Sequence, residues 1–437
     1  MISKFKYYLF KRQYTLDELI QFLLSFALVV VPVFFIPNRS LPDPYSQPRL
    51  IFLGTIASAL LIIFLIKPKI IIEIFNRNRI INGLVLIYML IQTYSLTYSI
   101  DLELSLFGIH VWKDGYIVQL IYFTFFFAGQ SSFRFSNRLL KWILVSGTII
   151  GLYGILQSFG IDFMVESNFT GLPVTAGMYN QNFLASYLVL ILPISIYLFM
   201  NEYKVWNLIS YFILLYTLLG TMTRGAWLGY IASVLVFLLL LRKRSNRIDL
   251  FKKKIIVLSL ATLLTIVLYS LLNDYSIIQR FLSIFIDTGD LLSGEKVEFV
   301  GSYRGYIWRE TIKYILKKPF QGYGIQNVML LFLMKHNEEM FKLFGLVILV
   351  NNVHNEYLQI AISTGIPSLI IIGIANTMIL VSGFKRVTTE CIYVPVLAGV
   401  IGYLVQYFFS LSFITNTFIL YIMLGSILNN INNDNMC

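Results

Sequence analysis

Charge is scarce in this sequence. Of 437 residues only 13% are charged and 57% are hydrophobic, where an average soluble domain carries about 25% charged residues. A water-soluble fold of this length cannot hide so much apolar side chain. Cysteine and histidine are scarcer still. Cys391 and Cys437, the two cysteines, lie far apart and make neither a metal-ligand spacing nor a disulfide framework. The three histidines are His110, His336 and His354, too few and too scattered for a metal cluster. The chain also lacks a Walker A loop, a G-x-G-x-x-G after a strand and an H-E-x-x-H. Neither a metal nor any other cofactor is therefore expected. Alternating apolar residues are missing too, which argues against a membrane β-barrel.

What the sequence does have is long continuous apolar runs, the mark of membrane-crossing helices. The fold class expected is an all-α polytopic membrane protein. About twelve spans are expected, near 18–36, 50–66, 80–98, 115–129, 138–157, 182–200, 205–221, 224–241, 254–272, 357–383, 391–411 and 414–430. The N-terminus resembles a signal peptide, but its apolar part is long and no small-residue cleavage site follows. It reads as a retained first span. The net charge of +12 does not point to nucleic acid, because the basic residues gather in alternate loops. The loop RKRSNRIDLFKKK (242–254) alone holds seven of them. With an even number of spans and both termini cytoplasmic, the short external loops keep only Arg39, Arg49, Lys113 and Arg224, as the positive-inside rule requires.

One segment breaks the rhythm. Residues 1–272 form the first nine spans, 273–356 a large external loop, 357–430 the last three spans and 431–437 a polar, disordered tail. A structureless loop of such length is unusual and suggests function. Within it, SYRGYIWRETIKYILKKP spaces Tyr303, Ile307, Thr311 and Tyr314 on one face. That pattern predicts an amphipathic helix lying on the membrane or on the bundle.

Arg224, in TMTRGAWLGY (221–230), stands between two apolar runs. An arginine so placed faces a cavity or partner, or anchors at lipid headgroups. Its rigid fork suits phosphate, it opens a helix whose N-terminus attracts anions, and Gly225 leaves room for a ligand. His354 precedes the tenth span, where a neutral imidazole can act as a general base. Arg304 and Trp308 share a helix face, as a second phosphate ligand and its neighbour or as a solvated charge and an aromatic anchor. Lys113, Asn180, Asn182 and Asn355 are candidate substrate contacts, although asparagines before helices also serve as caps. Asp101 and Glu103 make only a weak metal signal.

Several elements in order resemble the O-antigen ligase/polymerase superfamily. They are GIHVWKDG (108–115), YGILQSFGID (153–162), GMYNQNFLASY (177–187), TRGAWLG (223–229), RGYIWRETIKYILKKPFQGYG (304–324) and HNEYLQIAISTGIPSL (354–369). Lys113 stands where the family often has arginine, Thr223 where it has serine, and Ser363 or Thr364 where it has an acid. The resemblance implies a metal-independent membrane glycosyltransferase of the C-type architecture. Its donor would be an oligosaccharide or polysaccharide on undecaprenyl diphosphate, and its acceptor a glycan, lipid or protein. Arg224 and Arg304 would grip the diphosphate, and His354 would activate the acceptor hydroxyl. A bacterial cytoplasmic-membrane location with an external active site follows. Polymerase action for capsule or exopolysaccharide is the first alternative. A transporter or flippase of lipid-linked glycan is the second, disfavoured because almost no charge lies within the spans.

Overall fold

The computed structural model describes residues 15–36, 43–109, 113–163, 173–242, 248–273, 276–293, 297–345, 347 and 349–429. His110 and the tail 431–437 lie outside these. Among the described residues there is no strand. The helices are α1 (Leu16–Val30), α2 (Ser46–Ile66), α3 (Lys69–Arg77), α4 (Arg79–Ser95), α5 (Leu102–Phe107), α6 (Tyr116–Ser131), α7 (Asn137–Ser158), α8 (Gln181–Glu202), α9 (Val205–Gly220) and α10 (Arg224–Arg242). They continue with α11 (Ile248–Leu272), α12 (Ser276–Ser293), α13 (Val300–Lys317), α14 (Val328–Lys335), α15 (Asn337–Phe344), α16 (Glu356–Thr364), α17 (Ile366–Arg386), α18 (Tyr393–Gln406) and α19 (Thr417–Ile427).

Among the described residues eight helices are long and apolar enough to cross a membrane: α1 with its short extension to Val33, α2, α4 with its extension to Tyr98, α7, α8, α10, α11 and α17. The other four expected spans fall on α6, α9, α18 and α19, which have 16, 16, 14 and 11 residues. At 1.5 Å per residue the last is well short of a hydrocarbon core of about 30 Å. Between α18 and α19 the chain at 407–416 is irregular, and most of it is buried, including Leu411, Phe413, Ile414, Thr415 and Asn416. Irregular backbone is tolerated in a membrane protein where protein covers it.

α8 is the axis. Residues 183–200 are all buried, as befits a helix apolar on every side, and α7, α9, α10 and α18 pack around it. α10 and α18 approach most closely at Gly229 and Gly402, where a Cβ on Gly229 would lie 2.5 Å from the Gly402 carbonyl. Small residues allow such crossings without a hydrophobic driving force. Arg49, counted among the external-loop charges, is instead fully buried. It donates to the carbonyls of Val31, Pro32, Tyr45 and Gly177 and so ties α1 and α2 to the loop before α8.

Residues 300–362 build a second, smaller core around Tyr306, Ile307, Tyr314, Tyr323, Phe332, Val353 and Ile362. This sharpens the amphipathic-helix expectation. Ile307, Thr311 and Tyr314 are buried as expected, joined by Tyr306 and Ile315, while Tyr303 is only half-buried. The covering surface comes from α14–α16 as well as the bundle. A second stripe, Ile312, Leu316 and Phe320, stays exposed.

The turn after α13 is stitched to the break between α16 and α17. Tyr323 N–H donates to Ile362 O (2.9 Å), Gly324 N–H to Ser363 O (2.9 Å) and Ile366 N–H to Pro319 O (2.7 Å). Gly365 sits there at φ +88°, and a Cβ on it would lie 2.5 Å from Phe320 O. Gly365→Ala should therefore destabilise the protein by on the order of 1–3 kcal/mol. Gly373→Ala, in open space on α17, should not. Thermal unfolding in lipid nanodiscs compares the two.

Candidate active site

Arg224 is the first residue of α10, and its side chain turns towards α12. One guanidinium nitrogen pairs with Asp287 (2.6 Å) and donates to Ser283 Oγ (2.8 Å). On the same helix Arg280 donates through Nε to Met222 O (3.2 Å). Arg280, Ser283 and Asp287 recur at i, i+3 and i+7, one polar face of a helix whose Phe281, Leu282, Phe285 and Ile286 are exposed. α12 thus lays its polar face over Arg224 and leaves its apolar side outward. Sequence reasoning missed this helix, although its polar spacing was visible.

Arg304 of α13 donates to Phe409 O (3.0 Å) in the loop between α18 and α19. Burial, then the positive charges of Arg224 and Arg280, lower its pKa to about 10. Arg280 is lowered for the same two reasons, burial and Arg224, with Asp287 opposing. Three guanidiniums therefore share one region, with the Asp287 carboxylate among them. Such a place attracts an anion with several oxygens. The room expected at Gly225 is already taken: a Cβ there would lie 2.4 Å from Phe409 Cβ. That glycine lets the loop, rather than a ligand, approach the helix.

His354 is held just before α16 in a left-handed backbone conformation, φ +54°. Its N–H donates to Asn352 Oδ1 (3.0 Å), and Trp308 Nε1 donates to the neighbouring Val353 O (2.9 Å). The two residues of the R-x-x-x-W element thus divide the work: Arg304 joins the cationic cluster and Trp308 fixes the histidine loop. Burial, then the charge of Arg304, pull the imidazole down to about 3, so the ring is neutral at ordinary pH.

Other candidates land elsewhere. Asn355 caps α16, accepting from Leu358 N–H (3.0 Å). Asn180 caps α8, accepting from Asn182 N–H (2.8 Å), and Asn182 Oδ1 accepts from Thr223 beside Arg224 (3.4 Å). Lys113 is half-buried at φ +54°, and its neighbour Asp114 is the residue that meets other elements. Asp114 is buried and accepts from Tyr122 OH (3.1 Å) and Ser412 Oγ (2.5 Å). Glu356 accepts from the Ser412 backbone N–H (2.8 Å). Burial raises the Asp114 carboxyl to about 7. Burial, then Asp114, raises Glu356 to about 8. Asp101 caps α5 through Leu104 N–H (2.8 Å). Among the described residues Glu310, His336 and Glu339 are close enough to share an ion. There, however, both His336 ring nitrogens meet tyrosine hydroxyls at 2.9 Å, and Glu310 is held by Arg309 and Lys313. That is the bonding of a structural network in the second core.

A comparison with curated proteins returned no match. The family model described as O-antigen ligase matches residues 209–373. That stretch begins in α9 and ends in α17, and it contains Arg224, Arg280, Arg304 and His354. Over that stretch the chain is similar to the O-antigen ligase family.

Proposed function

We propose that the protein is a metal-independent, inverting glycosyltransferase, a ligase or polymerase of glycan carried on undecaprenyl diphosphate. One observation carries this reading: three arginines from three helices converge beside a neutral histidine. The donor diphosphate would sit among Arg224, Arg280 and Arg304, displacing Asp287. The acceptor hydroxyl oxygen would bond to the anomeric carbon as the bond from that carbon to the phosphate oxygen breaks. The hydroxyl proton would pass to His354. The leaving diphosphate would gain negative charge, which the arginines stabilise in a site shielded from water. A single displacement inverts the anomeric centre. A transporter would need charge or broken helices near the membrane midplane, whereas these groups collect in loops and helix ends.

In a transfer assay with purified lipid-linked glycan, His354→Ala and Arg224→Ala should each lose at least about a hundredfold in kcat while remaining folded. Arg224→Lys should fail as well, because a point charge does not replace a fork. Near wild-type transfer by His354→Ala would sink the mechanism.

The pH profile gives a separate check. A diphosphate bound among the arginines offsets the positive charge facing His354, favours the imidazolium and moves the ring pKa upward from about 3. kcat/KM reports the free enzyme and kcat the complex. The acid limb of kcat should therefore lie at higher pH than that of kcat/KM, and the reverse order would contradict the assignment.

The charge bias of the loops supports an external active site and cytoplasmic termini. A cysteine at the exposed Phe320 should react with an impermeant maleimide on intact spheroplasts. Labelling only after permeabilisation would reverse the topology.

A further inference from the structure

Four hydrogen bonds join three short stretches of chain, 304–308, 353–356 and 407–412, into a closed ring. Arg304 donates to Phe409 O (3.0 Å), and Trp308, on the same helix face, donates to Val353 O (2.9 Å) beside His354. Glu356, the first residue of α16, closes the circuit. Its N–H donates to Tyr407 O (2.9 Å), and its Oε2 accepts from the Ser412 N–H (2.8 Å). One residue thus holds the segment that carries Phe409 on both sides of it. We propose that Glu356 is a positioning residue: by tying 407–412 to the start of α16, it fixes His354 relative to Arg304.

An ordinary role does not account for these bonds. A glutamate in the first turn of a helix usually offers its charge to the dipole from the solvent side. Here Asn355 already caps α16 by accepting from Leu358 N–H, and the Glu356 carboxyl turns instead to a backbone donor of a distant loop. Its neighbours repeat the pattern. Tyr357 OH donates to Leu404 O (2.7 Å) at the end of α18, and Gln359 Oε1 accepts from Val353 N–H (3.2 Å). The first turns of α16 therefore grip the histidine loop on one side and the 404–412 chain on the other. His354 itself is in a left-handed backbone conformation, φ +54°, which persists only where the surroundings impose it. Ser412 Oγ has a further anchor in Asp114, but that bond lies outside the ring and reaches neither Arg304 nor His354.

The purpose of the ring rests on the proposed reaction. A hydroxyl at His354 and a diphosphate at Arg304 must be in register at the same moment, and a misplacement of about 1 Å can cost a hundredfold in rate. The ring's existence, by contrast, is open to test without turnover.

Glu356→Gln keeps an acceptor for the Ser412 N–H, whereas Glu356→Leu keeps bulk without one. In nanodiscs, amide hydrogen exchange across 407–416 should quicken in Glu356→Leu and not in Glu356→Gln. In the transfer assay Glu356→Leu should lose at least about tenfold in kcat and show a raised KM for the lipid-linked donor, with its thermal unfolding close to that of wild type. Glu356→Gln should keep most of the transfer. Trp308→Phe opens the ring at another link, so the double variant with Glu356→Leu should lose little more than the worse single variant. Unchanged exchange and kcat in Glu356→Leu overturn the proposal. So does a Glu356→Gln protein as impaired as Glu356→Leu, and so do losses that multiply in the double variant. Absence of transfer by the wild-type chain, with exchange behaving as stated, would support the ring and count against the proposed reaction.

Discussion

Like charges resist being gathered in a dry place, and this fold gathers three of them. The charge of Arg224 depresses the protonation of Arg280 and Arg304, and that of Arg280 depresses Arg304, so their convergence costs stability. The architecture around them is what holds them there. α12 brings Arg280, and α13 brings Arg304 from a segment with its own core. The irregular chain at 407–416 takes Arg304 with a carbonyl and packs against Gly225. Asp287 offsets part of the repulsion.

The chain at 407–416 is the common element of both halves of the site. Phe409 serves the arginines, and Ser412 serves both acids at once, its hydroxyl for Asp114 and its N–H for Glu356. Arg304 and the two acids are therefore held by one short stretch of backbone. His354 is placed from a third direction by Trp308 and Asn352. The proposed displacement of an anionic leaving group by a neutral nucleophile would use both, positive charge for the leaving group and a proton acceptor for the nucleophile.

Much of this was legible in the sequence, for physical reasons. Continuous apolar runs mark the helices because lipid tolerates little else, and Arg224 and His354 drew notice as polar residues at the ends of such runs. Arg304 and Trp308 were legible through their four-residue spacing. Other features were hidden. Ser283 and Asp287 were masked by a segment that read as loop, since a helix half apolar and half polar looks like neither span nor domain. The acids were hidden because Asp114 and Glu356 are far apart in sequence and only Ser412, near the other end of the chain, unites them. Ser363 and Thr364, where the family-typical acid is missing, line one small cavity with Asp114 and Glu356. Asparagines misled in the expected way: Asn180 and Asn355 satisfy helix ends.

The ion pair between Arg224 and Asp287 has a consequence for the order of events. The guanidinium fork is not bare in this structure, since a carboxylate of the protein's own sits in it at 2.6 Å. In the proposed reaction, arrival of the donor would be an exchange of one anion for another rather than the filling of a vacancy, and its affinity a difference between two strong attractions. The same exchange would run backwards after transfer. As the spent diphosphate departed, Asp287 would be at hand to take its place, so the step that most threatens to trap the product would be helped by a residue that takes no part in the bond-making.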